Sequence, residues 1–520
     1  MTPNSYENSN HFIFSAIPAW GHVRPFCILA ARLVKEHETA IVTMILSPSL
    51  LSKAETEVAA EFGGEASEST RRRIRILATF HSTSQDIFSL FQPLAETYAT
   101  AYQTLTDAKS ISCAMTGTVF DAVPAPRAVI LDPLALGQIL ATRAISGRSV
   151  PILSWYSGHV ATIIRLFGPE TLGGLDNLAA KIEAEATRRG VTAEEIGDSV
   201  LTHTEGKIIK IPGIPEMYDW EFFPQLPPFE AHASPIMKLQ YQGMRESDGA
   251  FVVSAYAFEE ESIKAFKSWQ SDMNKEVYIV GPLLPPSSGS VAGSARGSSE
   301  TEAFLEKAQA TYGTNSVFYI SFGTIFWPQN QDYLEEAIEA LIEKKVPFIL
   351  AYASPFAKLS DDLIARAELS GFALISKWVP QKYILNHPAI GWFVSHCGQN
   401  SVLEALGSGT PIICWPFDAD QPVAAYHLSE TLKVAIELIE VRTGEKGLKP
   451  LLRNGRKPKG TREAVGIEFR ETLDACLGER GQELRRNAQD IKTLFAKSWG
   501  AGGISRQEFD AFLKKYGAGF

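Results

Sequence analysis

Residues 391–409 constrain the fold more than any other stretch, because their order of residue types admits strand, sharp turn and helix in that sequence. GWFVSH, residues 391–396, is an apolar, β-rich run. Asn400-Ser401-Val402-Leu403-Glu404-Ala405-Leu406 reads as a helix ended by Gly407 and Gly409. The turn Cys397-Gly398-Gln399 puts the free backbone N–H groups of Asn400 and Ser401 at a helix N-terminus, where the partial positive end of the dipole favours a diphosphate. His396, at the carboxyl end of the strand, adds a donor to the same phosphates. Glu404, one turn in, can accept from both hydroxyls of a ribose, and Trp378 offers a flat π surface for a base. Singly, each has an ordinary role: a core Trp, a satisfied turn His, a first-turn Glu facing the dipole. Together, and followed by a second strand PIICW (411–415) and then Asp420-Gln421, they point to a nucleotide carrying a polar group.

The N-terminal run HFIFSAIPAWGHVRPFCILAARLVKEHETAIVTMILSP alternates short apolar strands with an amphipathic helix, a βαβ pattern that predicts a parallel sheet. Strand 11–17 ends in Pro18-Ala19-Trp20-Gly21-His22, and Pro25 suits the first turn of a helix. His22 thus lies at the carboxyl end of the first strand, the edge where open α/β sheets bind ligands. Arg127-Ala128-Val129-Ile130-Leu131-Asp132-Pro133 places Asp132 just past another buried strand end. A histidine oriented by a carboxylate is a recurring general base, since the acid fixes the tautomer and stabilises the imidazolium. A capping or packed His and ordinary Asp-Pro turn chemistry are the plainer alternatives. Residues 316–324, SVFYISFGT, read as a buried strand ending in small hydroxyl residues.

At 520 residues, 45% hydrophobic and 21% charged, the chain is globular and too long for one ordinary core. A Gly/Ser-rich stretch at 285–299 cannot pack a core. The expected division is a first domain over 1–280, a flexible linker over 281–300 and a second domain over 301–490 that binds the nucleotide. A C-terminal helix within 491–520 is expected to pack back on the first domain. Residues 61–73 read as mobile, and 442–462, with Lys446, Lys449, Arg453, Arg456, Lys457 and Lys459, as a solvated loop. A net charge of −10 and the lack of interleaved aromatics argue against a nucleic-acid surface there. Asp418-Ala419-Asp420 is a D-x-D triplet of the kind that can hold a divalent metal. It follows the phosphate helix and has no second acidic cluster beside it, so no metal is expected. Five cysteines without C-x-x-C spacing indicate neither a zinc site nor a full disulfide set. A polar N-terminus, no apolar run of about 18 residues and no glycosylation sequon predict a soluble, cytoplasmic protein without integral membrane association. Aromatic-rich segments at 88–102, 155–167 and 220–229 could wall an apolar pocket or belong to the core.

The stretch from Trp378 to Gln421 resembles the signature box of UDP-sugar-dependent glycosyltransferases, in particular the plant secondary-product type, whose pattern W…Q…H…G…HCGxNS…E…G.P…P…DQ it meets at nearly every position. The resemblance implies an α/β architecture of two Rossmann-like domains facing across a cleft, the GT-B type. It implies that Trp378 stacks on uracil, the backbone of Val379 reads the uracil edge, Gln381 lies near the ribose and Glu404 binds the ribose hydroxyls. His396, Gly398, Asn400, Ser401 and Thr324 would meet the diphosphate, with Gly323 permitting close approach. Asp420 and Gln421 would bind the sugar hydroxyls, and Gln399 would join the sugar-side wall where the plant pattern has Trp. Pro18-Ala19-Trp20-Gly21-His22-Val23-Arg24-Pro25 matches the family's P-x-x-G-H-x-x-P turn, which makes His22 the acceptor-activating base and Asp132 its partner. The implied reaction is inverting transfer of a hexose, glucose by the DQ pair, from UDP to a hydroxyl of a small lipophilic or aromatic acceptor, with no cofactor. A UDP-sugar epimerase or hydrolase on the same fold and a non-catalytic nucleotide-sugar binding protein are the rivals. The DQ pair weighs against the epimerase, and the His22 and Asp132 pair against the binder.

Overall fold

The computed structural model describes residues 8–62, 68–226, 233–284 and 298–517. Seven strands, β1 (Asn10–Ser15), β2 (Ala40–Ile45), β3 (Ile74–Leu77), β4 (Ala128–Leu131), β5 (Ile152–Tyr156), β6 (Gly249–Val252) and β7 (Glu276–Ile279), form one sheet in the order β7-β6-β5-β4-β1-β2-β3. Six more, β8 (Val317–Ser321), β9 (Phe348–Ala351), β10 (Ala373–Ser376), β11 (Ile390–Ser395), β12 (Ile412–Cys414) and β13 (Ala435–Glu437), form a second in the order β10-β9-β8-β11-β12-β13. Every pairing in both sheets is parallel. Helices cover both faces of such sheets, which is why β1, β2, β4, β8 and β11 are buried along their whole length and mostly apolar, with polar residues such as His11 and Thr43 bonded to each other inside. Strand order reverses between β1 and β4 in the first sheet and between β8 and β11 in the second, and ligands collect outside the carboxyl ends of strands at such reversals.

The helices that bear on the site are α1 (Trp20–Glu36), α2 (Val160–Phe167), α3 (Tyr256–Asp272), α4 (Gln399–Ser408), α5 (Gln421–Tyr426), α6 (Glu479–Ser498) and α7 (Ile504–Tyr516). Position 491 falls inside α6, which lies along α4 of the second domain. The segment that returns to the first sheet is α7. Its Phe512 packs against Phe12, Phe251 and Tyr278, at ring separations of 5.6, 4.7 and 5.7 Å. Ion pairs Lys515–Glu276 (2.8 Å), Lys267–Glu508 (2.5 Å) and Arg506–Glu36 (3.0 Å) surround that contact. Most of the expected linker, 285–297, lies outside the described residues. Its flanks are ordered: Leu284 accepts from Arg32 Nη2 at 3.0 Å, and a helix starts at Ser298.

Two expectations are corrected. Of the stretch read as mobile, residues 63–67 lie outside the described residues, whereas Glu61 and Phe62 end a helix (Leu51–Phe62). Arg73 beyond it donates to the carbonyls of Val34 and His37, both at 2.6 Å, at the C-terminal end of α1 where carbonyls lack helical partners. The basic 442–462 segment is not a solvated loop. Arg442 and Arg453 pair with buried Glu437 at 2.9 and 2.8 Å, and Arg456 pairs with Glu440 and Glu468 at 2.8 and 2.9 Å. The same segment binds the first domain. Trp220 Nε1 donates to Pro450 O at 2.9 Å, Thr443 N to Pro224 O at 2.9 Å, and Leu452 N to Glu221 Oε1 at 2.9 Å.

Among the described residues the aromatic segments supply core and interdomain contacts. Tyr98 and Tyr102 are buried and bond to Thr142 and Ser146, at 3.1 and 2.8 Å, while Phe88 on the same helix is 68% exposed. Trp155 stacks on Phe26 at 4.1 Å in the core. Trp220 stacks on Tyr218 and lies under Lys449 of the second domain. Residues 227–229 lie outside the described residues.

Candidate active site

The two strand ends at the first reversal bring His22 and Asp132 together. Helix α1 starts at Trp20, so His22 sits on the helix's first turn rather than in the turn before it. Asp132 follows β4, is 1% exposed, and is fixed by Leu134 N donating to Oδ1 at 2.9 Å. Its Oδ2 lies 2.5 Å from His22 Nδ1. That contact takes up Nδ1 and leaves Nε2 as the atom able to accept a proton; the side chain is 33% exposed. Burial alone would lower the His22 pKa, but the charge and hydrogen bond of Asp132, helped by the charge of Asp420, outweigh it and hold the group above the ordinary 6.5. Trp155 Nε1 donates to His22 O at 3.0 Å and props the turn.

At the second reversal β11 ends in Ser395 and the chain turns through Cys397, whose φ of +69° is left-handed for a non-glycine residue and is held by Cys397 N donating to Ser395 Oγ at 3.1 Å. Gly398 caps α4, so the helix starts one residue earlier than the sequence suggested. The His396 ring is enclosed by glycines: a Cβ at Gly323 or Gly398 would lie 2.8 or 2.6 Å from His396 Nε2. A side chain at either position would have to displace the imidazole, because backbone following β8 and at the start of α4 approaches the histidine closely. Burial pushes the His396 pKa down to about 4, which makes it a neutral group near pH 7. Ser401 is buried in the first turn of α4, and Thr324 is exposed just past β8.

Around the nucleotide face, Glu404 accepts from Gln381 Nε2 at 2.7 Å and from Arg24 Nη1 of the first domain. Gln381 in turn accepts from Tyr319 OH at 3.0 Å. Val379 is buried and its carbonyl accepts from Gln381 N at 2.9 Å, while Trp378 is 53% exposed beside it. The Asn400 side chain turns to the first domain: Nδ2 donates to Gly21 O at 2.7 Å. Asp420 Oδ2 accepts from His159 N at 3.4 Å. Gln421 is buried with its oxygen taken by Phe417 N at 2.9 Å. Gln399 is buried as well, and Nε2 donates to Val253 O beyond β6 at 3.2 Å, so it packs on the first domain. Among the described residues no group of three or more His, Cys, Asp or Glu is placed to hold a metal ion.

Residues 285–453 match the UDPGT family, described as UDP-glucoronosyl and UDP-glucosyl transferase. UDP-glycosyltransferase eriJ of Hericium erinaceus is 31% identical over 520 residues, covering 98% of this chain and 99% of its own. The chain belongs to the UDP-glycosyltransferase family. Phloretin 4'-O-glucosyltransferase of Malus domestica is 28% identical over 59% of this chain and 63% of its own. Among solved structures, a ugt transferase from Siraitia grosvenorii in complex with UDP superposes with a TM-score of 0.68 at 20% identity, covering 98% of this chain and 100% of that one. Medicago truncatula UGT71G1 complexed with UDP-glucose gives 0.68 at 18%, covering 98% of both. The fold is GT-B, and the protein is an enzyme of this transferase family. Among the described residues no helix is long and apolar enough to cross a membrane.

Three residues of this glycosyltransferase escape sequence reasoning. Arg24 bridges Glu57, at 3.0 Å, and Glu404. Gly21 supplies the carbonyl for Asn400, and His159 supplies the amide for Asp420. Each pairs with a residue hundreds of positions away, so no periodicity or spacing marks it. The only trace of Arg24 is a cation two residues past His22 in a turn otherwise apolar.

Proposed function

We propose that the enzyme transfers a hexose, glucose, from UDP to a hydroxyl of a small lipophilic or aromatic acceptor with inversion at the anomeric carbon. The carrying observation is the His22–Asp132 contact of 2.5 Å on a turn tied directly to the helix start of the second domain. His22 Nε2 takes the acceptor proton while Asp132 stabilises the imidazolium formed. The nucleophile attacks one face of the sugar through an oxocarbenium-like state. Charge developing on the departing diphosphate is met by the first-turn amides of α4 and by His396. Trp378, Val379, Gln381 and Glu404 hold the uridine, His396, Gly398, Ser401 and Thr324 the phosphates, and Asp420 with Gln421 the sugar.

The donor and acceptor classes draw support from relatives. UDP-glucosyltransferases 45 and 74AE2 of Panax ginseng are 35% and 36% identical over 38% of this chain and 40% of their own, and the Malus domestica relative is named for glucosyl transfer to phloretin. No metal or other cofactor takes part in this reading. Its compartment is the cytoplasm, in keeping with five cysteines that are all unpaired and buried.

The deciding experiment is to follow UDP release from UDP-glucose with and without a library of phenols. Release that depends on acceptor supports transfer. Release that ignores it supports hydrolysis, and none at all removes the donor assignment.

A further inference from the structure

A buried cluster behind the sugar subsite has no part in the chemistry above. His159 and Ser254 are fully buried, and Glu259 and His427 are 2% exposed. The Glu259 carboxyl accepts from Val160 N at 2.8 Å, from Ala161 N at 3.4 Å and from Ser254 Oγ, and Oε2 lies 3.0 Å from His159 Nδ1. Glu259 therefore supplies the acceptor for amides that α2 leaves without helical partners. Its own backbone breaks the helical path of α3, with φ −144° and ψ 53°. A carboxyl group buried in this way is costly to place, and its hydrogen bonds from Val160 N, Ala161 N and Ser254 Oγ fix the chain that follows His159.

His159 touches both ends of the short helix α5, which carries Gln421. At one end its backbone N–H meets Asp420 Oδ2 at 3.4 Å. At the other its ring lies edge-on, 5.4 Å from the ring of His427, and Phe258 contacts both rings at 5.1 and 5.4 Å. Gly158 lies beside the same carboxylate: a Cβ there would be in van der Waals contact with Asp420 Oδ2, at 3.6 Å. His159, Phe258 and Glu259 belong to the first domain, whereas Asp420, Gln421 and His427 belong to the second.

We propose that Glu259 and His159 form a positioning unit that sets the donor-sugar subsite from across the domain boundary. Glu259 holds the start of α2, and His159 presents its amide to Asp420 and its ring to His427. Both contacts cross the domain boundary and meet α5 at its two ends. The proposal rests on the reading that Asp420 and Gln421 hold the sugar. Uridine and diphosphate contacts lie on Trp378, Glu404 and α4, so the unit acts on the sugar and leaves the nucleotide untouched.

The test compares UDP with UDP-glucose. Calorimetric Kd for each, together with KM and kcat, is measured on the full chain for Glu259→Gln, His427→Ala and Gln421→Ala. In Glu259→Gln, Kd and KM for UDP-glucose should rise about tenfold, as for one lost hydrogen bond to a charged group, while Kd for UDP stays within about twofold. His427→Ala should show the same selective loss. Equal weakening of both ligands, or of neither, overturns the proposal. If Glu259→Gln fails to fold, Ser254→Ala removes one donor to the same carboxyl and should give a smaller loss of the same selectivity; unchanged selectivity in it and in His427→Ala is equally fatal. Gln421→Ala separates the premises: if it keeps full UDP-glucose affinity, the sugar assignment itself fails.

Discussion

Asn400, in the first turn of the nucleotide helix, donates to the main-chain carbonyl of Gly21 at 2.7 Å, one residue before His22. His22 and the start of α4 are thus registered by a side-chain-to-backbone bond, with no room at Gly21 for more than a slight adjustment, since a Cβ there would lie 3.3 Å from Nδ2.

An expected ordering of variants follows. Asn400→Ala loses the donor, and Asn400→Asp places an acceptor against an acceptor, which is worse. Turnover should fall further in Asn400→Asp than in Asn400→Ala, with UDP affinity changed less than turnover in Asn400→Ala. Equal losses of affinity and turnover in that variant would mean that the side chain serves the phosphates directly.

The rate should rise with pH as His22 loses its proton, with a midpoint above the ordinary 6.5 because Asp132 and Asp420 outweigh burial. Removing the Asp132 charge leaves burial dominant, so Asp132→Asn should move the midpoint of kcat/KM downward while slowing the reaction. His22→Ala should lower kcat by about 10²–10⁴ with UDP affinity within a few-fold. A pH profile unmoved in Asp132→Asn would separate that carboxylate from the base.

Trp378→Ala removes the exposed stacking face and should cost roughly 1–3 kcal/mol of UDP binding, the scale of base stacking. Glu404→Ala removes the acceptor shared by Arg24 and Gln381 and should weaken UDP as well. Calorimetry giving wild-type affinity for both variants would displace the nucleotide from this face.

Competition among equal concentrations of UDP-glucose, UDP-galactose and UDP-glucuronate should favour glucose. Asp420 repels a carboxylated sugar, and an axial hydroxyl leaves a buried polar group without a partner, a penalty that reaches about 10⁴ when a hydroxyl is missing outright. Gln421→Ala should cost more activity than Gln399→Ala. EDTA should leave the rate unchanged. Dominant galactose or glucuronate transfer would show that Gln399 has reshaped the sugar pocket.

Acid should destabilise the fold through buried histidines. Burial lowers His11 to about 3, His427 to about 3 and His396 to about 4, against 6.5 when exposed. The unfolded chain therefore binds more protons below 6.5, so the stability these groups contribute is full above that value and lost as pH falls toward 4. His11→Gln should flatten the slope of unfolding free energy in that window by about 1.4 kcal/mol per pH unit. An unchanged slope in denaturant titrations at several pH values would count against a neutral buried His11.

What the sequence revealed and what it hid divide along physical lines. The strand ends carrying His22, Asp132 and His396 were legible because a buried parallel strand must be apolar and must stop before a polar turn. The left-handed Cys397 and the glycines around His396 left their mark as a run of small residues after a strand. Hidden were Arg24 with Glu404 and His159 with Asp420, whose partners lie on another domain. The 442–462 segment misled because its cations look solvated until the acids of 430–440 and Glu468 fold against them.

Helix α7 completes the first sheet although it follows the whole second domain, so the chain passes between the two halves twice. Phe512 of that helix meets Phe12, Phe251 and Tyr278, so the core of the first domain draws on residues from near both ends of the chain. During synthesis that core is completed only after the second domain has been made, and cutting away α7 would open the first domain although every residue removed follows the second.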